Sequence, residues 1–201
     1  KIEGEKSSNV HFAIDFLTGI QKRNLGNKNA QYINVEDKKV VVIGGGDTAM
    51  DCVRTSVREG ATSVKCLYRR DEANMPGSKK EVVNAKEEGV EFVFNVSPKS
   101  IKVENDLAVG VELLETSMSK SDTSGRQKVV LIEGSEYLED ADVIILALGF
   151  SPEVPSFLKE LNVETNSWGG IVVDSNFKTS NKKVYAGGDC QRGAHLAVTA
   201  A

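Results

Sequence analysis

The residues with most chemistry to offer are Gly44, Gly45, Gly46, Asp47, Thr48 and Ala49, a GxGxxA string. Each small residue in such a string has its own task. Gly44 permits a tight turn, Gly46 lets the backbone approach a pyrophosphate, and Ala49 allows a helix to pack closely on a sheet. The N–H groups and dipole of the helix start would then receive a diphosphate. Asp47 fits that picture poorly, because a carboxylate repels a diphosphate, and its type suits a helix cap better. Farther along stands Tyr68-Arg69-Arg70, where an NAD site would keep an acid for the ribose 2′-hydroxyl roughly 20 residues past the glycines. Two guanidinium groups suit a doubly charged 2′-phosphate, through bidentate, charge-assisted bonds. Asp71 and Glu72 follow at once, so an NAD-type carboxylate displaced by two residues stays open as the alternative. Lys79 and Lys80 either extend the positive rim or form a solvated helix start.

The elements needed to position these groups are legible around them. Lys39 to Ile43 is a continuous β-branched run, as in a strand buried on both faces of a parallel sheet. Three glycines break it, and Asp47 to Glu59 reads as a helix stopped by Gly60. Val64 to Tyr68 is a second strand, Lys79 to Glu88 a helix stopped by Gly89, and Glu91 to Phe94 a third strand. This β-α-β-α-β series calls for parallel strands and right-handed crossovers. Upstream, the spacing of Val10, Ile14 and Leu17, with Phe12, Phe16 and Ile20, predicts an amphipathic helix. Gly26 to Asp37 reads as a connector. Downstream, 100–104, 108–115 and 127–133 read as a three-stranded antiparallel meander with a Ser-rich tip at 117–125. Val143 to Ala147 is again a buried strand, closed by Gly149. A short helix at 156–161, strands at 171–173 and 183–185, and Gly187-Gly188-Asp189 complete the chain. The fold class is α/β: a Rossmann-like parallel sheet plus an antiparallel meander.

Composition bounds the function. The 201 residues hold 25 Lys+Arg against 29 Asp+Glu, a net charge of -4, so nucleic acid and anionic membrane are not expected partners. With 40% hydrophobic and 27% charged residues the chain is globular rather than disordered, and no apolar run is long enough to span a bilayer. Lys1 to Asn9 lack an apolar signal core. Cys52, Cys66 and Cys190 form neither a disulfide framework nor a CxxC pair, which favours a reducing, cytoplasmic setting. Cys52 and Cys66 read as buried, inert thiols. His11 and His195 are the two histidines; the first is expected on a helix surface, the second in a loop or at a helix start. The chain begins without Met and stops at Thr199-Ala200-Ala201 inside what reads as a helix, so it is expected to be cut from a longer protein at both ends.

Four motifs in order, GGGDTAMD (44–51), YRRDEANMPGS (68–78), ALGFSP (147–152) and YAGGD (185–189), resemble the NADPH-dependent glutamate synthase small-subunit family. Related patterns occur in the amino-terminal portion of dihydropyrimidine dehydrogenase and in NADPH:ferredoxin-type reductases. The resemblance implies a flavoprotein whose NADPH domain is inserted into an FAD domain. By position, Gly44, Gly45, Gly46, Asp47, Thr48 and Ala49 then belong to the cofactor-binding loop, and Arg69 and Arg70 hold the 2′-phosphate. Ala147, Leu148 and Gly149 close the NADPH domain. Gly188 allows close approach to FAD, and Asp189 hydrogen-bonds its ribityl chain. Residues 1–35 become a leading helix and connector from the FAD domain, 36–150 the NADPH-binding domain, and 151–201 a partial FAD-domain segment. The implied activity passes hydride from NADPH to FAD and electrons on to iron–sulfur clusters, which lie in the longer protein and not in this chain. The implied recipient is a glutamate synthase large subunit or another electron acceptor. No side-chain acid or base is needed for hydride transfer, so no catalytic residue and no metal ligand is assigned. This piece alone is expected to be inactive. Other readings are a reductase module of the related kinds, an NAD(P)-dependent dehydrogenase with its own proton-transfer residue, or a non-catalytic nucleotide sensor. Thioredoxin reductase shares the GGGD loop and the arginine pair but needs a CxxC just before the loop, and residues 11–43 contain no cysteine.

Overall fold

The computed structural model describes residues 1–119, 127–194 and 198, in two units, Lys1–Gly149 and Phe150–Ala201. The first unit opens with a three-residue strand, β1 (Val10–Phe12), that runs straight into helix α1 (Ala13–Asn24). The single helix expected through Val10 is thus corrected. Its apolar spacing continues across the boundary, but Val10, His11 and Phe12 pair in parallel with Ile144, Ile145 and Leu146. Sheet pairing holds the backbone extended up to Phe12, at φ -77° and ψ 144°. His11 is therefore a half-buried strand residue rather than one on a helix surface.

The alternating series follows: β2 (Lys39–Ile43), α2 (Asp47–Arg58), β3 (Ser63–Tyr68), α3 (Lys79–Glu87) and β4 (Glu91–Phe94). Successive side chains of β2 serve opposite faces of the sheet. Val40 and Val42 join one core with Phe16, Met50 and Val53 from the helices. Val41 and Ile43 join a second core on the other face. Helix α2 gives way to Gly60 at φ +83°, the left-handed conformation that ends helices at low cost.

The chain then leaves the parallel sheet. Strands β5 (Val96–Glu104) and β6 (Leu107–Met118) form an antiparallel hairpin. Its loop is Asn105 and Asp106, at φ 50° and 65°; paired positive φ values are what the twist of a two-residue hairpin favours. Strands β7 (Val129–Leu131) and β8 (Tyr137–Asp140) both pair with β6, β7 opposite 116–118 and β8 opposite 110–113. The expected meander of three strands is thus four strands in three rows, the third row being interrupted. From residue 120 to 126 the Ser-rich tip lies outside the described residues. Strand β9 (Val143–Leu146), buried throughout, returns between β1 and β2 and completes a parallel sheet of order β1-β9-β2-β3-β4. The helices α1, α2 and α3 contribute to the first core, while Ile101, Val111 and Leu113 of the antiparallel sheet contribute to the second. The Asn9 amide binds the two sheets: its Nδ2 donates to the carbonyls of Ala108 and Asp142, and its Oδ1 accepts from the Ala108 N–H, all at 2.8 Å.

The second unit includes the four-residue helices α4 (Phe157–Glu160) and α5 (Asp189–Arg192). The strands expected at 171–173 and 183–185 are reduced to single antiparallel bridges, Thr165 with Ile171 and Lys178 with Tyr185. The readings at His195 and Thr199–Ala201 lie outside the described residues.

Candidate nucleotide-binding site

The glycine loop sits at the C-terminal ends of β2, β3 and β9. The Gly44 N–H donates to the Leu67 carbonyl at 3.1 Å, and the Ala147 N–H donates to the Ile43 carbonyl at 2.9 Å. Two of the glycines are demanded by their neighbours. Gly44 has φ +150°, and a Cβ there would lie 2.3 Å from the Ala147 carbonyl oxygen. A Cβ on Gly45 would lie 2.4 Å from the Tyr68 ring. At Gly46 it would meet nothing within 4 Å, so bare backbone there faces open space. Gly46 is also the N-cap of α2, and no side chain caps the helix. The Ala49 N–H already donates to the Gly46 carbonyl at 2.9 Å, whereas the N–H groups of Asp47 and Thr48 precede any carbonyl one turn back in the helix, which makes them anion donors.

Asp47, expected to cap this helix, does not. It is the first helical residue, and its Oδ1 accepts from the Ser78 N–H at 2.7 Å. Thr48 is exposed beside it, and Ala49 is fully buried under the sheet contact the motif anticipates.

A cleft of about 650 Å³ joins the glycine loop to Tyr68, Arg69, Arg70, Ala147, Leu148 and Gly149. Its electrostatics are lopsided. Arg23, Arg54 and Arg58 each pair with a carboxylate. Arg69 and Arg70 have no such pair among the described residues, and Arg70 Nε is buried without any acceptor. A desolvated guanidinium N–H left unpaired is costly, which marks this place as suited to an anion. The two acids that follow are already engaged. Asp71 Oδ1 accepts from the Asn74 N–H at 2.9 Å and its Nδ2 at 2.8 Å, capping a single 3-10 turn at Glu72–Asn74. Glu72 pairs with Lys86 at 2.6 Å. The arginine backbone is fixed from the other side: the Arg69 carbonyl accepts from the Thr116 hydroxyl at 3.0 Å and the Arg70 carbonyl from the Asn95 N–H at 3.1 Å. The sequence assigns no role in the site to the side chains of Tyr68, Asn95 and Thr116. The first stands inside the quoted YRR motif, but its packing on Gly45 has no signature in spacing.

The remaining candidates are placed as follows. Ala147 is nearly buried, Leu148 is 61% exposed, and Gly149 has φ +83°. Lys79 and Lys80 are exposed at the start of α3. Gly188 and Asp189 belong to the second unit. Gly188 has φ 68° and ψ -148°, a region that glycine alone occupies readily, and Asp189 opens α5. Burial pushes the Cys52 and Cys66 thiols up to about 12, far from the thiolate that a metal or a redox reaction needs. Among the described residues no group of three His, Cys, Asp or Glu is arranged to hold a metal ion, so these residues do not fit an iron–sulfur cluster. Burial lowers the His11 pKa, opposed by Asp15, and His11 does not line the cleft.

Residues 1–201 match the family model described as pyridine nucleotide-disulphide oxidoreductase. The chain belongs to that family. It is 47% identical to the glutamate synthase [NADPH] small chain of Escherichia coli, over 99% of this chain and 44% of that protein. It is 46% identical to the glutamate synthase [NADPH] small chain of Azospirillum brasilense, over 100% of this chain and 42% of that one. The putative oxidoreductase AegA of Escherichia coli is 45% identical over 99% of this chain and 31% of its own length. The chain thus spans less than half the length of these relatives. Among solved structures it is similar to the thioredoxin reductase of T. acidophilum, with a TM-score of 0.70 and 21% identity, covering 99% of this chain and 56% of that one. It is also similar to Mycobacterium tuberculosis FprA in complex with NADPH, with a TM-score of 0.69 and 17% identity, covering 98% and 56%. At such identities the likeness is one of fold.

Proposed function

We propose that the cleft binds NADPH and that the chain is the NADPH-handling part of a flavoprotein oxidoreductase of the glutamate synthase small-subunit kind. The observation that carries this reading is the state of charge beside the glycine loop. Two arginines without carboxylate partners among the described residues line the cleft beside the glycine loop, and both neighbouring acids make other bonds. An NAD-type reading would need Asp71 in the cleft to accept from a ribose hydroxyl, and Asp71 does not line it but turns its Oδ1 to Asn74.

In this reading Gly44, Gly45 and Gly46 bring bare backbone, and Asp47 to Ala49 the helix start, to the diphosphate. Arg69 and Arg70 take the 2′-phosphate, and Ala147, Leu148 and Gly149 border the same nucleotide. Gly188 and Asp189 would face FAD, the glycine by leaving no side chain in the way and the carboxylate by accepting from hydroxyls. NADPH supplies a hydride when bound, and FAD is the group that accepts it. The protein's task is placement and charge, so no residue here transfers a proton. Residues 36–150 would form the NADPH domain, with 1–35 and 151–201 as parts of an FAD domain and β1 completing the sheet of the former. Onward electron transfer through iron–sulfur clusters to a large subunit would take place outside these residues. The free cysteines suit a reducing, cytoplasmic compartment.

Calorimetric titration with NADPH and NADH tests the assignment. NADPH is expected to bind far more tightly. Replacing Arg69 and Arg70 by Ala is expected to weaken NADPH by about 3 kcal/mol in total, since each charge-assisted bond contributes roughly 1.5–3 kcal/mol, and to leave NADH nearly unchanged. Equal affinity for both nucleotides, or binding of neither, overturns it.

A further inference from the structure

The segment that carries the arginines is a loop with two arms, and the arms are held differently. The outgoing arm, Arg69 and Arg70, hangs by its carbonyls from Thr116 and Asn95. The returning arm, Asn74 to Ser78, is tied toward the glycine loop. The Tyr68 hydroxyl, on the ring that lies against Gly45, donates to the Asn74 carbonyl at 2.8 Å. The Gly77 N–H donates to the Gly45 carbonyl at 2.9 Å. The Ser78 N–H donates to Asp47 Oδ1 at 2.7 Å. Gly77 is pressed close enough that a Cβ would lie 3.1 Å from the Gly45 oxygen. The glycine loop has independent support from the Leu67 and Ala147 bonds. The returning arm is held locally by the Asp71 cap on Asn74 and by Met75 against the first core, and these three bonds are what tie it to the glycine loop and to the start of α2.

Asp47 is the odd member of this set. A carboxylate at the first turn opposes a bound diphosphate, and it does not cap its own helix, so ligand contact does not explain it. Its bond to Ser78 is the one tie of the three with an ionised acceptor, a type about twice as strong as a neutral hydrogen bond. We propose that Asp47 is a positioning residue for recognition of the 2′-phosphate. By fixing Ser78 it closes the 69–78 loop onto the glycine loop and sets the spacing between the arginine pair and the diphosphate seat. The inference rests on the reading of the cleft as an NADPH site and adds to it the residue that makes discrimination against NADH sharp.

Two substitutions break the tie from opposite ends. Asp47→Ala removes the acceptor. Ser78→Pro removes the donor, and Ser78 already has φ -55°, which proline adopts without strain. Ser78→Ala is the control, because it keeps the N–H and the Ser78 side chain makes no cap bond. Affinities for NADPH and NADH are measured by calorimetry on the full chain with each substitution, with a thermal melt for folding. The expected result is a loss of about tenfold in the NADPH-over-NADH preference for Asp47→Ala and for Ser78→Pro. The double variant should be no worse than either alone, as for two ends of one bond. Asp47→Asn, which keeps an acceptor oxygen, should retain most of the preference, and Ser78→Ala all of it. If Asp47 merely serves the helix dipole, Asp47→Asn will fall with Asp47→Ala and Ser78→Pro will be silent, which overturns the proposal. Should Asp47→Ala fail to fold, the comparison of Ser78→Pro with Ser78→Ala decides. An unaltered protein with no preference for NADPH would instead overturn the nucleotide reading itself.

Discussion

A methyl group at Gly44 would strike the Ala147 carbonyl, a backbone atom that cannot swing away, at a φ that side chains rarely adopt. Gly44→Ala is therefore expected to destabilise the protein by about 2–4 kcal/mol, the sum of overpacking and backbone strain, read from urea denaturation. Gly46→Ala provides the contrast. Its φ of -89° is ordinary and the space around it is empty, so stability should change by less than about 0.5 kcal/mol while NADPH affinity falls, because the new methyl occupies the ligand's place. Two glycines two residues apart thus separate folding from binding. The need for glycine at both was legible in the GxGxxA spacing, and so was the arginine pair. The role of Asp47 was not. Its partner is a backbone N–H 31 residues away, and every residue except proline has one, so nothing in the side-chain sequence points to it.

Helices α2 and α3 are joined by a charge network rather than by packing alone. Arg54 reaches both Glu81 and Glu88, and Arg58 also reaches Glu88, at 2.8 Å. Hydrogen bonding from Arg54 first, then from Arg58, holds the Glu88 carboxyl below the usual carboxylate range, against the opposing effect of desolvation. A carboxyl whose pKa is lowered on folding stabilises fully above its unfolded value and loses that contribution as pH falls through the folded one. Arg54→Ala should therefore lower Tm near neutral pH, and the gap to the unaltered protein should narrow as pH drops below the ordinary carboxylate range, toward about pH 3. A gap that stays constant across thermal melts from about pH 7 to pH 3 would assign the effect to lost packing of the arginine stem instead. These helices and the strands between them were legible because β-branched runs end in glycine and helix faces repeat at 3.6 residues. Strand β1 was hidden by the same logic. Val10 and Phe12 keep helical spacing with Ile14 and Phe16, and only a partner beyond residue 140 makes them a strand. The interrupted third row of the antiparallel sheet was blurred in the same way, since β7 has three residues and depends on β6 for its identity.

On the scale of the whole molecule, both hydrophobic cores lie within residues 1–149, as does every residue lining the cleft. A fragment of residues 1–149 is accordingly expected to melt cooperatively and to bind NADPH within about threefold of the full chain, a difference of roughly 0.6 kcal/mol. Calorimetry and a thermal scan of that fragment check it, and a non-cooperative melt would show that the second unit is needed for folding. The chain's closing turn into Gly149 was legible as the end of a buried strand. The short bridges of the second unit were not, because single residue pairs leave no alternating run to read. Strand β1 also has a part in keeping the molecule to itself. Without it, Val143-Ile144-Ile145-Leu146 would stand at the rim of the sheet as four apolar residues with unpaired backbone groups, a template for another chain's strand. In its place the rim is only three residues long, with His11 in the middle and a helix turning away directly after it. A strand too short to be foreseen is what blunts the edge of the sheet against aggregation.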